Sequence, residues 1–174
     1  MRRLILEGLF KNAATEPPPA RLPELEKEIA EAVDFRTRTR LGRSLSIRHV
    51  DAGSCNACEL EIHALNNPYY DLERYGLRFV ASPRHADVLL VTGPVTKNMH
   101  NALIATYEAM PAPKWVVAAG GCAADVGCFA GSYAVLGGVS EVLPVDLHIP
   151  GCPPPPAALL SGLLTLLDRA GVSR

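Results

Sequence analysis

Apolar positions in this chain follow two patterns, short continuous runs and stripes with helical spacing. The runs predict β-strands, and the run at 88–91 is apolar throughout, as in a strand covered on both faces. The stripes predict helices at 24–35, 58–65, 99–110 and 156–171. The predicted strands span 45–50, 77–81, 87–92 and 114–119, with extended segments at 142–145 and 148–149.

Strands that alternate with helices predict the α/β class, with a mostly parallel sheet and right-handed crossovers. We therefore expect residues 44–174 to form a flavodoxin-like sheet with helices on both faces. Residues 1–43 predict an irregular N-terminal extension with a semi-rigid, proline-rich spacer at 16–19. After its helix, arginines alternate with small residues at 36–43. This pattern predicts a solvated linker or, alternatively, contact with anionic lipid or an acidic partner.

The size and composition of the chain are those of one globular domain. Hydrophobic residues make up 48% of its 174 residues, which is enough to form a core. The net charge is −1, so nothing suggests binding to nucleic acid. No apolar run is long enough to span a bilayer. The number of cysteines, five, is odd, which favours thiolate ligands in a reducing compartment over a disulfide framework.

The first residues resemble the start of an export signal, because twin arginines precede an apolar stretch. Glu7 and Lys11 interrupt that stretch and no small-residue cleavage site follows, so we expect no signal. Two interpretations remain, an amphipathic anchor that docks on a membrane or a partner subunit, and a frayed terminus. The apolar residues concerned are Leu4, Ile5, Leu9 and Phe10.

Four of the five cysteines follow the ends of predicted strands. Cys55 and Cys58 come after the strand at 45–50, Cys122 after the strand at 114–119, and Cys152 after the extended segment at 148–149. The carboxyl ends of parallel strands share one edge of a sheet, so we expect the four thiols to converge there. Four thiolates can hold a [4Fe–4S] cluster. The sequence therefore predicts one [4Fe–4S] cluster and an electron carrier.

Other chemistry can use the same cysteines. Cys55 and Cys58 form a C-x-x-C pair that could be the dithiol of a thiol–disulfide oxidoreductase, which would leave Cys122 and Cys152 unexplained. The four could also hold structural zinc, which usually takes two compact pairs of ligands, or simply be buried as small apolar residues. Cys128 is a fifth thiol that one cluster does not need, so we expect it to pack or to lie beside a ligand.

Longer segments around these cysteines resemble one known family, the small cluster-bearing subunit of membrane-bound group 4 [NiFe] hydrogenases, including that of formate hydrogenlyase. This subunit is homologous to the 20 kDa (B) subunit of respiratory complex I. Two residues, Asn56 and Ala57, separate the first cysteines as in the hydrogenases, whereas the complex I subunit has adjacent cysteines there. The similar segments are 54–62, 70–76, 81–93 and 145–154.

The resemblance implies a role for the cluster. Electrons would pass between a ferredoxin-like iron–sulfur subunit and a [NiFe] large subunit that evolves or oxidises H2. The chain itself would be a non-catalytic subunit without nickel ligands. Integral membrane subunits would hold the complex at the cytoplasmic, inner face of the cell membrane. A related interpretation keeps the cluster in a complex I-like, ferredoxin- or quinone-linked oxidoreductase without nickel.

Five polar residues near these motifs are candidates for tuning the cluster potential or carrying protons. Glu59 and His63 are four residues apart and can meet on one helix face, and Glu61, by analogy, faces the large subunit. Arg84 and His85 follow a predicted strand and could approach the cluster, where a cation would raise its potential. The alternative for these residues is a solvated surface or an interface ion pair.

Overall fold

The computed structural model describes residues 24–170, and the predicted N-terminal anchor and proline-rich spacer lie outside them. The strands in this range are β1 (Leu45–Asp51), β2 (Leu77–Phe79), β3 (Val88–Thr92), β4 (Val95–Thr96), β5 (Trp115–Ala119), β6 (Val135–Gly137) and β7 (Leu147–Ile149). Five of them form one sheet in the order β2-β1-β3-β5-β7, with all neighbours parallel, and β4 and β6 form a separate short ribbon. When the five strands are numbered along the chain, their order is 2-1-3-4-5, which is that of a flavodoxin-like sheet, so the predicted fold class is confirmed.

Helices cover both faces of the sheet. In β3, Val88 and Leu90 point into one apolar core, and Leu89 and Val91 point into the other, which is why this strand is apolar throughout. The helices of the described chain are α1 (Glu24–Leu41), α2 (Ala57–Leu65), α3 (Lys97–Glu108), α4 (Gly121–Asp125) and α5 (Pro156–Ala170), with 3₁₀ turns at Leu72–Tyr75, Pro83–His85, Gly127–Phe129 and Val139–Glu141. The first core lies under α1, α2 and α5, and the second under α3 and α4.

The first helix continues through the arginine-rich segment, so the helix end predicted at residue 35 and the solvated linker predicted at 36–43 are wrong. Val33 and Thr37 lie on the buried face of α1, and the Thr37 hydroxyl donates to the Val33 carbonyl at 2.7 Å. The sequence pattern missed this part of the helix because its buried position is taken by a threonine, Thr37, and its other positions include arginines. Val33 of α1 and Leu45 of β1 belong to the same hydrophobic core. The predicted boundary at residue 43, between an N-terminal extension and the α/β domain, stays a prediction.

Two arginines of α1 are paired within the chain. Arg36 Nε lies 3.1 Å from Asp168 Oδ1, and Arg38 Nε donates to Asp34 Oδ1 at 2.8 Å. A guanidinium that already has a carboxylate partner has fewer donors left for a lipid headgroup. The alternative interpretation of this segment as a lipid contact therefore gains no support from the structure.

The buried carboxylate of Asp87 links β1 to Arg43, which precedes this strand in the loop, at the amino end of the sheet. It accepts hydrogen bonds from Arg43 Nη1 and Nη2 at 2.8 and 2.5 Å and from the Ser46 amide at 2.9 Å. We expect Asp87→Ala to lower the free energy of unfolding by about 2–3 kcal/mol, because the buried Ser46 amide loses its acceptor. Chemical denaturation of the anaerobically purified protein would measure the change.

A matched control for this variant is Asp34→Ala. Asp34 also pairs with an arginine, but Arg38 is largely exposed, so we expect a loss of about 1 kcal/mol or less. Equal losses in the two variants would contradict the role assigned to Asp87.

Two further differences from the prediction lie in the second half of the chain. The extended segment predicted at 142–145 is wrong, because the amide of Val142 closes a 3₁₀ turn on the Val139 carbonyl at 3.0 Å and the next strand begins only at Leu147. Its apolar residues instead pack into the second core, as Leu143 does. No pattern in the sequence indicated β4 and β6, because their antiparallel pairing is too short to produce a periodic signal.

Candidate metal centre

Three loops at the carboxyl edge of the sheet carry the four predicted ligands. Cys55 and Cys58 lie after β1 and at the start of α2, Cys122 lies in α4 directly after β5, and Cys152 follows β7. Cys58 and Cys122 are buried, and Cys55 and Cys152 are exposed. The thiol of Cys58 lies within electrostatic reach of the other three. The structure therefore brings the four thiols together, and their role as ligands stays a prediction.

The first loop is shaped by Asp51, the last residue of β1. Its Oδ1 accepts hydrogen bonds from the amides of Gly53 and Ser54 at 2.8 and 2.7 Å, which turns the chain sharply away from the sheet. Asn56 then adopts a left-handed conformation with φ 72° and begins α2. This turn places Cys55 on the surface and Cys58 inside.

The other two loops are joined by backbone hydrogen bonds. The amide of Gly120 donates to the Ile149 carbonyl at 2.9 Å, and that of Gly121 donates to the Gly151 carbonyl at 2.7 Å. Gly120 has φ +94°, and a Cβ at this position would lie 2.7 Å from Cys58 Sγ. Glycine is therefore required here for the backbone after β5 to lie against the sulfur from the first loop.

The fifth thiol lies beside the third. The chain turns back after α4 through Val126, which has φ 71°, and through Gly127, where a Cβ would lie 2.9 Å from Cys122 Sγ. This turn places Cys128 beside the Cys122 thiol, close enough to influence its pKa. Cys128 itself is exposed. It lies beside a predicted ligand, as expected, and whether it binds iron stays a prediction.

The protonation of the buried thiols bears on whether the site fits a cluster. Burial raises the pKa of Cys58 to about 11, and the negative charges of Glu59 and of the neighbouring thiolates add to the effect. Burial likewise raises the pKa of Cys122. Thiolates gathered in this way repel one another unless cationic iron neutralises them. Four cysteine thiols with glycines at 120 and 127 beside two of their sulfurs therefore fit a [4Fe–4S] cluster.

Among residues 24–170, no three His, Cys, Asp or Glu side chains surround a point that would hold a single metal ion. A four-iron cluster does not need such a point, because each thiolate binds a different iron.

Glu59 is the best-defined of the five tuning candidates. The residue is only 7% exposed, so the solvated surface considered for it from the sequence is wrong. Among the described residues it contacts Ser54, Thr92 and His49 rather than His63, which is exposed on α2. Burial lowers the pKa of His49, and the charge of Glu59 opposes that shift.

The remaining candidates have less defined surroundings. Glu61 is half-buried on α2. Arg84 and His85 are exposed on the 3₁₀ turn Pro83–His85, and Asp87, two residues further on, lies at the amino edge beside Ser46. Their approach to the cluster stays a prediction, as does the position of Glu61 against a large subunit.

Sequence reasoning missed three residues that contact Glu59, namely Ser54, Thr92 and His49. The only sequence signal was that Ser54 precedes a cysteine and that Thr92 ends an apolar strand. Their closeness in space depends on the pairing of β1 with β3, which cannot be read from the sequence. In that pairing His49 lies opposite Leu90, two residues before Thr92 on the adjacent strand.

Comparison with known proteins defines the class. The family model for the 20 kDa subunit of NADH ubiquinone oxidoreductase matches residues 55–166, so the chain belongs to this family. The family resemblance inferred from the cysteine motifs is confirmed. The chain is thus a subunit of an oxidoreductase complex.

Individual relatives come from both branches of that class. The chain is 44% identical to the probable membrane-bound hydrogenase subunit mbhJ of Pyrococcus furiosus, over 83% of this chain and 84% of the relative. It is 44% identical to formate hydrogenlyase subunit 7 of Escherichia coli, over 74% of this chain and 50% of the relative. It is 49% identical to the NADH-quinone oxidoreductase B subunit of Geotalea uraniireducens, over 67% of this chain and 68% of the relative.

A solved structure has the same fold. A chain of the archaeal membrane-bound sulfane sulfur reductase, a respiratory membrane complex, matches with a TM-score of 0.68 and 32% identity, covering 83% of this chain and 77% of that one. Two of these proteins, the Pyrococcus hydrogenase subunit and the sulfane sulfur reductase chain, are thus named as parts of membrane-bound enzymes. No helix between residues 24 and 170 has the length and apolarity needed to cross a bilayer.

Proposed function

We propose that this chain holds one [4Fe–4S] cluster on Cys55, Cys58, Cys122 and Cys152, as the electron-transfer subunit of a membrane-bound [NiFe] hydrogenase complex. The main support is the arrival of four thiols at one sheet edge from three separate loops. The 44% identity to a probable membrane-bound hydrogenase subunit supports the choice of complex.

The residues of this chain would set where and how the cluster works. When bound, the cluster takes up and passes on one electron at a time, at a potential that depends on its surroundings. Burial of Cys58 and Cys122 keeps water from two of the four sulfurs, and the glycines at 120 and 127 leave room for those sulfurs. Glu59 adds a buried carboxylate beside Cys58. Glu61, His63, Arg84 and His85 remain proposed tuning residues.

Exposed apolar side chains support an interface with other subunits. Leu60, which directly follows Cys58 and Glu59, is 62% exposed, and Tyr133 is 89% exposed. Leu60 lies two residues after Cys58, so a partner that covers the cluster edge would also bury this side chain. We assign the partners as a [NiFe]-type large subunit, a ferredoxin-like iron–sulfur subunit and integral membrane subunits. The chain would lie peripherally at the cytoplasmic face of the cell membrane.

A complex I-like oxidoreductase without nickel is the second candidate. It is supported by the 49% identity to an NADH-quinone oxidoreductase B subunit and by the likeness to a chain of a sulfane sulfur reductase. Two residues between Cys55 and Cys58 favour the hydrogenase, since the complex I subunits that this chain resembles have adjacent cysteines there.

Metal analysis of the intact complex tests the proposal. We expect the anaerobically purified complex to be brown, to contain iron, acid-labile sulfide and nickel, and to evolve or oxidise H2. Iron and sulfide without nickel and without H2 turnover would assign the second candidate. A preparation of this chain that contains zinc and no iron would overturn both.

A further inference from the structure

Beneath the first cysteine loop lies a buried hydrogen-bonded network centred on Glu59. Its Oε2 accepts a hydrogen bond from the Ser54 hydroxyl at 2.6 Å, and its Oε1 accepts one from the Thr92 hydroxyl. On the far side of Thr92, His49 Nε2 lies 3.0 Å from the same hydroxyl oxygen and 3.7 Å from Glu59 Oε1. The network therefore connects α2 to β1 and β3.

The donors of this network follow once Glu59 carries its charge. An ionised carboxylate only accepts hydrogen bonds, and a hydroxyl has one proton to donate. With Glu59 ionised, Ser54 and Thr92 both donate to it, and His49 Nε2 then donates to the Thr92 hydroxyl. The Ser54 oxygen in turn accepts from the Asn56 amide at 3.0 Å. Both arms of the network thus donate toward one carboxylate.

The two arms hold the segment that carries two of the predicted ligands. One arm ends on Asn56, which lies between Cys55 and Cys58 in a left-handed conformation. Glu59 follows Cys58 directly, and its other arm reaches Thr92 on β3 and His49 on β1. These four side chains, none of which is a predicted ligand, add to the turn made by Asp51 in holding the loop on the sheet.

We propose that Glu59 is a positioning residue that holds the Cys55–Cys58 loop on the sheet and lowers the reduction potential of the cluster, with Thr92 and His49 holding Glu59 in place. This inference rests on the proposed function. Reduction adds negative charge to a cluster, and a buried anion next to one of its ligands makes that step less favourable. His49 supports Glu59 through the Thr92 hydroxyl and also lies 3.7 Å from Glu59 Oε1.

The test uses the anaerobically purified complex and two readouts, the EPR-monitored midpoint potential of this cluster and the loss of its EPR signal to a chelator. The signal is assigned by its absence in the Cys58→Ser variant. We expect Glu59→Gln, which keeps the shape and removes the charge, to move the midpoint potential to more positive values. We expect Thr92→Val to weaken iron retention about tenfold, and Thr92→Ser to restore it because the hydroxyl returns.

The histidine has a matched control in the same chain. His148 is exposed on β7, in the same sheet. We expect His49→Phe to weaken iron retention in the same direction as Thr92→Val, and His148→Phe to leave it unchanged. An unchanged potential in Glu59→Gln, or a Thr92→Ser variant no better than Thr92→Val, would overturn the inference. A wild-type chain without iron would instead overturn the proposed function, so the two failures are distinguishable.

Discussion

Serine in place of Cys55, Cys58, Cys122 or Cys152 is expected to remove most of the iron bound by this chain. A serine oxygen is a poor substitute for a thiolate in a four-cysteine cluster site. Each thiol also arrives on a segment fixed by its own contacts, and the one cysteine outside the set, Cys128, lies beside Cys122 alone among the four. Iron and acid-labile sulfide per chain after anaerobic purification measure the effect, together with the loss of brown colour.

The control for this series is Cys128→Ser. Cys128 lies beside Cys122 and is exposed, and a single cluster needs only four ligands, so we expect this variant to keep its full iron content. Full iron in Cys122→Ser would contradict the assignment of the third ligand. Loss of iron in Cys128→Ser with retention in Cys122→Ser would exchange the two roles.

Most of the sheet could be predicted because its strands are buried on both faces. The run at 88–91 is apolar at every position, and the structure divides its side chains between two cores. The prediction failed where burial does not require apolar side chains. Thr37 extends the buried stripe of α1 through its small size and its bond to the Val33 carbonyl, and the arginines around it suggested a solvated segment.

The gathering of the cysteines could be predicted from topology alone, because the ends of parallel strands meet at one edge. The surroundings of those cysteines could not. Glu59 looked like a surface residue paired with His63, since only spacing along the helix was visible. Its actual contacts come from Thr92 and His49, which are brought to it by strand order and register.

A single methyl group at Gly120 is expected to remove the cluster almost as completely as a lost thiol. A Cβ there would lie 2.7 Å from Cys58 Sγ, closer than two such atoms can approach, and φ is +94°. Cys58 lies in the first turn of α2. The next residue, Glu59, is hydrogen-bonded to Ser54 and Thr92, so the Cys58 sulfur cannot simply withdraw. We therefore expect Gly120→Ala to lose most of its iron, measured per chain.

The contact with Cys58 can be separated from backbone strain by a second glycine. Gly131 also has a positive φ, +79°, but a Cβ there would meet nothing within 4 Å. Alanine at either position bears a conformational cost of about 1–3 kcal/mol, so both variants should be less stable, whereas Gly131→Ala should keep its iron. If Gly120→Ala also kept its iron, Cys58 could bind the cluster without lying against the loop after β5. That result would contradict the close contact between these two loops on which the proposed site depends.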